Sequence, residues 1–520
     1  MKIIIALIVS ILICNFSIAQ NTGIGTITPN GKLHVKGSAD TSQLVIDANS
    51  TQSNLRPLIR LRKNDGTDLM WIHSDDTSNT FIGRNVGRLN NATMSGGTSN
   101  TFIGSNAGYS NAGGGQNTAV GINTLNKNTS GSANSAYGAD ALASNTSGVS
   151  NTAIGVSALF SNINGGLNTA IGVNALFNNS YGNYNTALGF NSLYSNSSGI
   201  YNTAYGAYAL FYNTTGNYNT ATGMNALPQN TTGSYNTAQG GFALYSNTTG
   251  TNNTAVGYSA GYYNTTGTLN TTFGDESLVS NRSGSYNTAM GLGALYTTIS
   301  SSNNTMVGCR AGDSYDLGWN NTFIGANSDA NANGIYNSIA IGESATVTAN
   351  SQVRIGNNST TSIGGFVGWS NISDGRVKQN IQENVPGLVF IKKLKPVTYT
   401  LDLDAADELM QKLPVKDKDG KIIPLSAFDT NARKQKETIV YAGFIAQDVE
   451  KAAKELGFDF SGVDAAKNDK DLYGLRYAEF VVPLVKAVQE LSSEHEELKK
   501  QNEAMMKRIE KIEIILITKK

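Results

Sequence analysis

The sequence predicts a mainly β protein in which a parallel β-solenoid, or β-roll, of seventeen-residue coils precedes a separate C-terminal domain and a coiled-coil helix. Three observations predict this fold class. An Asn-Thr/Ser-x-x-Gly motif recurs every seventeen residues through the middle of the chain. Gly makes up 56 of the 520 residues while only 15% are charged, and strict periodicity separates such a composition from low-complexity disorder. Near Trp369, Lys, Glu and Asp return and helical patterning replaces the repeat.

Residues 1–19 have the pattern of an export signal. Lys2 is followed by an apolar run over 3–13, and a small-residue exit ends at Ala19. The pattern predicts cleavage between Ala19 and Gln20 and a secreted or cell-surface location. The alternative is a transmembrane anchor, but the apolar run is shorter than the ~20 residues that a spanning helix needs.

Residues 20–99 are predicted to form a β-rich N-terminal section. Candidate strands at 23–26 and 32–35 flank a Pro-Asn-Gly turn signal. A second pair, at 58–61 and 69–72, flanks Asn-Asp-Gly. Both pairs are therefore predicted to be hairpins. The Gly-Ile-Gly-Thr opening and the later Lys-Leu-His-Val are similar to the start of many secreted bacterial proteins described as having tail-fibre domains.

The repeat is predicted to occupy residues 100–342, followed by a connector over 343–372. Its unit, read from Asn185, is Asn-Thr-Ala-Leu-Gly-Phe-Asn-Ser-Leu-Tyr-Ser-Asn-Ser-Ser-Gly-Ile-Tyr, and looser copies start at Asn79 and Asn337. Spacing without insertions indicates that each unit stacks on a nearly identical neighbour. The strict copies start at Asn100, Asn117, Asn134, Asn151, Asn168, Asn185, Asn202, Asn219, Asn236, Asn253, Asn270, Asn287, Asn304 and Asn321.

Gly at the fifth place, and usually again at the fifteenth, marks the turns of each unit, since Gly adopts positive φ at no steric cost. The small residue at the third place and the Ala-Leu pair near the ninth are predicted to face the interior. The Asn and Thr columns are predicted to form ladders between coils. Fourteen coils spaced about 4.8 Å apart make a shaft on the order of 70 Å long. Because so short a coil encloses little apolar volume, we expect partners to cover its apolar face.

The shaft lacks the groups that catalysis requires. From Ala141 to Gly274 the sequence contains no Asp, Glu, Lys, Arg or His, which excludes acid–base catalysis and metal binding there. The zero net charge removes the simple electrostatic case for binding nucleic acid or an anionic membrane. His34 and His73 have no cysteine or carboxylate cluster beside them at ligand spacing, so we expect neither a metal nor another cofactor.

Aromatic side chains along the repeat leave two interpretations open. They pack against adjacent coils, or they stack on the sugars of a host or matrix glycan. Regular Thr columns add an ice-binding face as a further hypothesis. The aromatic residues include Tyr194, Tyr201, Phe211, Tyr212, Tyr218 and Tyr245.

The sequence Asn-Thr-Ala-Ile-Gly occurs at 151–155 and again at 168–172. With this turn, the repeat resembles the head region of trimeric autotransporter adhesins. The resemblance implies a left-handed parallel β-roll shared by three chains. The seventeen-residue coil departs from the usual coil length of that group.

The C-terminal domain begins with a serine, Ser373, five residues before a lysine, Lys378. A serine hydroxyl needs a base to act as a nucleophile, and a lysine serves when burial keeps its amine neutral. Taken alone, this spacing is more typical of an exposed loop with an unrelated lysine. Further sequence blocks follow at 394–399, 441–449, 475–477 and 484–491.

In this order the blocks closely resemble the intramolecular chaperone domain of phage endosialidases and tail spikes, peptidase family S74, over 373–491. The resemblance implies an α+β domain that trimerises its fibre during folding and then cuts its own chain once through a Ser-Lys dyad. It makes Ser373 the nucleophile and Lys378 the general base. The scissile bond is then Ile372-Ser373, and no activity on external substrates is expected.

Two further residues belong to the motif, Asp374 and Arg376, either as catalytic groups or as a structural ion pair. The chain departs from the family pattern in a charged stretch at 405–436 and a looser segment at 451–471. Neither departure includes the dyad, so they affect the expected loop structure more than the cleavage.

Residues 484–517 carry a heptad pattern that predicts a coiled coil. The alternative is an amphipathic helix that packs on its own domain. Polar His495 and Asn502 in the seam are expected to set its register. One heptad position holds Val488, His495, Asn502, Ile509 and Leu516, and the other holds Leu484, Leu491, Leu498, Met505 and Ile512.

These features predict a secreted, trimeric fibre or adhesin-like structural protein. Its C-terminal chaperone is expected to drive trimer folding and then to release itself by autoproteolysis before Ser373. Its partner is itself, in a homotrimer, with a surface glycan or matrix ligand as a further candidate. The alternative is a glycan- or ice-binding repeat protein whose C-terminal domain only trimerises and is not cleaved.

Overall fold

The structure is a computed structural model that describes residues 22–24, 33–35, 45–47, 53–93, 96–366, 370–412, 414, 421–422, 424 and 427–518. It divides into two units, 1–150 and 151–520. The predicted signal segment, with Ala19 and Gln20, lies outside the described residues. Within the described residues, no helix combines the length and the apolar character that crossing a membrane requires.

The first unit begins with two short strands, β1 (Thr22–Ile24) and β2 (Leu33–Val35), that pair in parallel. The predicted hairpin at this point is therefore wrong, because a hairpin requires antiparallel strands. The second predicted hairpin is confirmed: β3 (Ile59–Arg62) pairs antiparallel with β4 (Asp68–His73) around the Asn-Asp-Gly turn.

From β5 (Thr80–Ile82) onward the pairing in the first unit becomes parallel and in register. β4 pairs antiparallel with β5, so β5 is the strand at which the hairpin passes into the coils. The looser copy at Asn79 thus precedes a true ladder strand, upstream of the predicted limit at residue 100. The next three strands are β6 (Thr101–Ile103), β7 (Thr118–Val120) and β8 (Ser135–Tyr137).

The second unit contains the rest of the solenoid, one three-residue strand per seventeen-residue coil. Equivalent residues face each other, as in Thr203↔Thr220 and Ala204↔Ala221, which confirms the parallel β-solenoid. Its strands are β9 (Thr152–Ile154), β10 (Thr169–Ile171), β11 (Thr186–Leu188), β12 (Thr203–Tyr205), β13 (Thr220–Thr222), β14 (Thr237–Gln239), β15 (Thr254–Val256), β16 (Thr271–Phe273), β17 (Thr288–Met290), β18 (Thr305–Val307), β19 (Thr322–Ile324), β20 (Asp329–Ala330), β21 (Ile339–Ile341), β22 (Thr346–Val347) and β23 (Val353–Ile355).

The last parallel strands lie beyond residue 342. β20 pairs with β22, and β21 pairs with β23. The segment predicted as a connector, 343–372, therefore contributes two strands to the solenoid before it becomes irregular.

The glycines that recur at the fifth and fifteenth places are needed for different reasons. Gly206, at the fifth place, has a φ of 137°, and a Cβ there would lie 2.5 Å from the carbonyl oxygen of Gly223 in the next coil. Gly216, at the fifteenth place, does not have positive φ, but a Cβ there would lie 2.3 Å from the Gly233 oxygen. The sequence argument from positive φ therefore holds at the fifth place only, and close approach between coils requires the other glycine.

At the other corners of the coil, residues other than glycine adopt positive φ. Tyr208, Leu210 and Tyr218, all in one coil, have φ values of 59°, 52° and 56°. This region is unfavourable for such residues, so packing between coils must hold them there.

The interior is filled as the sequence predicts. Ala204 at the third place and the Ala209-Leu210 pair are fully buried, and their equivalents in neighbouring coils repeat the pattern. Small side chains suit the narrow central coils, while coils nearer the ends hold larger buried residues at the third place, Phe102 and Phe323 among them.

Asparagines form two buried ladders, at the first and twelfth places. Asn219 Nδ2 donates to the Gly233 oxygen at 2.8 Å, and the Asn219 backbone N–H donates to Asn202 Oδ1 at 3.0 Å. Asn230 Nδ2 donates to the same Gly233 oxygen at 2.9 Å and to Asn213 Oδ1 at 2.8 Å. The predicted Asn ladder is confirmed, and each amide compensates buried backbone groups that the short strands leave unpaired.

The C-terminal region mixes short helices and strands. β24 (Val397–Tyr399) pairs antiparallel with β25 (Tyr441–Gly443), and β26 (Val463–Asp464) pairs with β27 (Gly474–Leu475). The helices are α1 (Leu388–Ile391), α2 (Leu403–Leu409), α3 (Ala427–Glu437), α4 (Ala446–Lys454) and α5 (Val481–Thr518), with 3-10 turns at Gly375–Val377 and Tyr477–Phe480.

This region has an aromatic core of its own. Phe390 is fully buried and packs edge-on against Phe458 and Phe460, with ring centroids 5.4 and 5.1 Å apart. Val449 on α4 and Phe480 complete the buried cluster. The predicted α+β composition is therefore confirmed.

Candidate functional site

Ser373 and Lys378 are in contact. Lys378 Nζ lies 2.8 Å from Ser373 Oγ, within hydrogen-bonding distance. The 3-10 turn Gly375–Val377 lies between them and reverses the chain direction. The Lys378 N–H donates to the Gly375 carbonyl oxygen at 3.3 Å. A separation of five residues therefore becomes a contact between a hydroxyl and an amine, the pair of groups that a Ser-Lys dyad uses.

Asp374 and Arg376 form an ion pair beside the dyad. Asp374 caps the turn by accepting the Arg376 backbone N–H at 2.9 Å, and Arg376 Nη2 donates to its carboxylate at 2.6 Å. The hydrogen bonds from Arg376 lower the pKa of Asp374 below its usual value. The two residues form an ion pair that shapes the turn, and this contact favours a structural role over a catalytic one.

The dyad is open to water in the single chain. Ile372, whose carbonyl would be attacked, is 91% exposed, and Ser373 and Lys378 are both exposed. A lysine acts as a base through its neutral amine, a form that burial favours. The geometry of the dyad is thus present in one chain, while the dry surroundings that would activate it are absent from the described residues of that chain.

Helix α5 leaves its heptad seam exposed. Both sets of heptad residues lie on the solvent side of a single helix of 38 residues, and Leu491, Leu498 and Ile512 are each more than half exposed. Only Pro483 and Ala487 of this helix are buried. The helix therefore does not pack its seam on its own domain, which argues against the amphipathic alternative.

Exposed aromatic residues of the solenoid stack on one another. Tyr184, Tyr201, Tyr218 and Tyr235 form one column, with ring centroids 4.7 to 5.0 Å apart and planes within 11° of parallel. Neighbouring rings cover the faces of the inner two tyrosines, so only ring edges and hydroxyls meet solvent. Sugars bind to aromatic faces, and this arrangement therefore favours packing between coils over glycan stacking.

The sequence did not point to a third feature, the junction between the last coils and the C-terminal region. Asp471 is only 4% exposed, and its carboxylate accepts hydrogen bonds from Thr348 and Gln352 of the solenoid. A cavity of about 220 Å³ lies close by, bordered by Asp329 of the solenoid and by Lys412. Burial raises the pKa of Asp329 to about 7. The sequence signal near this junction was a scatter of charged residues from Asp275 onward, whose spacing identifies no junction.

Comparison with known families matches one region. Residues 373–458 match the family described as chaperone of endosialidase, peptidase S74, and the match begins at Ser373. This confirms the resemblance, over part of the predicted range 373–491. No curated protein matches the chain.

Proposed function

We propose that this chain is a secreted, homotrimeric fibre protein whose domain from Ser373 onward directs assembly and then cuts the chain before Ser373. The observation that carries the proposal is the 2.8 Å contact between Lys378 Nζ and Ser373 Oγ, at the first residue of the region that matches the chaperone of endosialidase family. The export pattern of residues 1–19 supports the secreted location.

The chemistry is an acyl shift followed by hydrolysis. Ser373 Oγ attacks the carbonyl carbon of Ile372 while its proton passes to Lys378 Nζ. Collapse breaks the bond between that carbon and the Ser373 nitrogen, which takes the proton from Lys378, and an ester of Ser373 remains. Water then hydrolyses the ester, which restores the hydroxyl and leaves a carboxylate on Ile372. The two products are residues 20–372 and 373–520, if the signal is removed at Ala19.

Two observations support assembly as the trigger. The dyad is exposed in one chain, so neighbouring chains are needed to exclude water from it. The apolar seam of α5 is exposed as well, and association of α5 helices buries it. Cleavage would then follow folding, because only the assembled form places the dyad in a dry environment and aligns Ser373 with the carbonyl.

The solenoid has a structural or adhesive role in this proposal. Most of its buried polar side chains are asparagine amides, and between Ala141 and Gly274 it has no Asp, Glu, Lys, Arg or His. A glycan- or ice-binding role remains the second candidate, supported by aligned Thr residues such as Thr203 and Thr220 in successive strands. Ice-recrystallisation and glycan-array assays on the secreted protein test it directly.

The test of cleavage uses the full chain. Wild type is expected to appear on a denaturing gel as two pieces, and mass spectrometry should place the cut between Ile372 and Ser373. Ser373→Ala and Lys378→Ala are each expected to leave the chain whole, since one removes the nucleophile and the other the base.

Ser370→Ala serves as the matched control, because it removes a nearby serine outside the dyad and should cleave like wild type. Each protein is also sized by light scattering, and the uncleaved variants should be trimers. An intact wild-type trimer would contradict cleavage and leave a domain that only trimerises. A cleaved monomer would contradict assembly as the trigger.

A further inference from the structure

We propose that cutting the chain before Ser373 does not release the C-terminal domain, because the buried carboxylate of Asp471 keeps it bound to the last coils of the solenoid. This inference rests on the proposed cleavage and adds what happens to the product. The contacts between the solenoid and the domain each join a residue before the cut to a residue after it, so none of them is lost when the chain is cut.

Three side chains at the end of the solenoid contact the Asp471 carboxylate. The Thr348 hydroxyl donates to Asp471 Oδ1, and Gln352 Nε2 lies 3.1 and 3.2 Å from the two carboxylate oxygens. Arg354, in strand β23, places Nη2 3.6 Å from Oδ1. We call Asp471 with Thr348, Gln352 and Arg354 the Asp471 anchor.

The anchor carboxylate is also held by its own loop. The backbone N–H groups of Lys467 and Leu472 donate to it at 3.2 and 3.1 Å. Although burial opposes the charged form, the hydrogen bonds from Thr348, Gln352 and the Lys467 N–H lower the pKa of Asp471. These donors stabilise the buried charge of Asp471. Separating the domain from the solenoid would remove all of the donors that the solenoid provides.

Additional hydrogen bonds join the same two surfaces around the anchor. Asn468 Nδ2 donates to the backbone carbonyl oxygen of Thr348 at 2.9 Å, and Asn331 Nδ2 donates to the backbone carbonyl oxygen of Met410 at 3.0 Å. Asn358 Nδ2 donates to Asp407 Oδ1 at 2.6 Å. Such a network needs no covalent link to persist, because its donors and acceptors are already paired and desolvated.

A hydrogen bond from a lysine lies at the edge of the interface. Lys436 Nζ donates to the Thr360 oxygen at 2.8 Å. Asp407, the acceptor of Asn358, also binds Arg433 Nη1 at 2.8 Å, which fixes its orientation. By contrast, residues 361–366 and 370–374 are mostly exposed and irregular, so the chain that crosses the cut is a tether and the interface provides the attachment.

Retention of the domain has a consequence for the solenoid. Arg354 belongs to the last parallel strand, so the anchor holds the domain at the end of the ladder. A bound domain keeps that end covered after cleavage, whereas a released domain would leave it open to pairing with other chains. The cut then converts a covalent attachment into a reversible one.

The experiment makes the cut without the dyad. A recognition sequence for a site-specific endoprotease is inserted between Ile363 and Gly364, in the exposed segment, in a full chain that carries Ser373→Ala. After digestion, the two pieces are expected to co-elute from a size-exclusion column at micromolar concentration. Asp471→Asn is expected to speed their dissociation by at least about tenfold, since the solenoid donors lose a charged acceptor.

Matched variants separate the anchor from general damage. Asp459→Asn makes the same change at an exposed aspartate of the same domain and should leave the dissociation rate unchanged. Arg354→Glu tests the solenoid side and should also speed dissociation, because it opposes two carboxylates, while Arg354→Lys keeps the charge and should behave like wild type. Separation of the wild-type pieces on the column would overturn the proposal, as would Asp471→Asn and Arg354→Glu pieces that dissociate no faster than wild type. Because the added protease makes the cut, these outcomes do not depend on whether the dyad cleaves.

Discussion

The solenoid and the C-terminal region are stabilised by different interactions. In the solenoid, small side chains fill the interior, and neutral amides such as Asn213 and Asn230 satisfy buried backbone groups from coil to coil. In the C-terminal region, an aromatic cluster around Phe390 forms the core, and ion pairs such as Lys393–Glu455 lie at the surface. A narrow coil has no room for a large core, so repetition of one satisfied hydrogen-bond pattern replaces it.

The difference has one exception, at the end of the solenoid. Asp329 is buried in β20, and its carboxylate accepts the backbone N–H groups of Ser314 at 3.1 Å and Ala330 at 2.8 Å. A carboxyl group therefore enters the solenoid interior where the solenoid meets the C-terminal region. Three changes test how far the comparison holds, from the largest expected effect to the smallest.

Gly206→Ala is expected to cause the largest loss. The added Cβ would lie 2.5 Å from the Gly223 oxygen at a φ of 137°, so both the backbone and the next coil must move. We expect a loss of about 4 kcal/mol or more in the free energy of unfolding, or failure to fold. Chemical denaturation followed by circular dichroism measures it.

Gly241→Ala is the control for that change. A Cβ at Gly241 would meet its nearest neighbour, Tyr258, at 3.6 Å, an ordinary contact, and the residue does not have positive φ. It should be tolerated. Equal losses from the two substitutions would show that close approach between coils does not explain the fifth-place glycine.

Asp329→Asn is expected to change how stability depends on pH. Burial raises the pKa of Asp329 from 3.8 to about 7, so between these values the folded chain holds a proton that the unfolded chain releases. Stability should therefore fall as pH rises through this window, by about 4 kcal/mol in total, and the loss is complete above pH 7.

The asparagine variant stays neutral and should be more stable than wild type at pH 8, with a flatter dependence over the window. Thermal unfolding at several pH values gives the comparison. Glu276→Gln, at an exposed carboxylate of the solenoid, should leave the wild-type dependence intact. A wild-type profile that rises between pH 4 and 7 would contradict the assignment to Asp329.

Asn213→Ala compares the two regions directly. It removes bonds from Nδ2 to Asn196 Oδ1 at 2.8 Å and to the Gly216 oxygen at 3.0 Å, and it leaves the amide of Asn230 without one of its two acceptors. Because all these groups are buried, we expect a loss of about 3 kcal/mol.

Lys393→Ala, the counterpart in the C-terminal region, removes an ion pair at 2.8 Å between partly exposed side chains and should not change stability measurably. The same denaturation measurement serves both variants. A larger loss from Lys393→Ala than from Asn213→Ala would reverse the comparison.

Parts of the fold were predictable because they repeat. The motif at Asn100 and its copies defined the coil length, the parallel register and the buried third-place alanines, since identical neighbours can stack in only one register. The twelfth-place asparagines, such as Asn196 and Asn213, recur just as regularly, and this recurrence was the available signal for the second buried ladder. The hairpin predicted at 23–35 was wrong because its turn signal describes a local bend and not the direction of the partner strand.

The dyad was predictable because the blocks that follow Ser373 resemble peptidase family S74, and the serine and Lys378 meet because they lie within one turn. The Asp471 anchor was not, because Asp471 meets Gln352 across 119 positions and neither residue belongs to a repeated pattern. Long-range contacts between unique residues leave no periodic trace in one sequence.

The sequence by itself determined the coil, its neutral interior and the serine and lysine at the boundary, because each depends on neighbours within one coil or one turn. Only the tertiary structure decided that the fifteenth-place glycine serves close approach, that tyrosine faces are covered by other tyrosines, and that a buried carboxylate joins the last coils to the C-terminal region. These facts depend on which surfaces meet, and that is set by packing among residues distant in the chain.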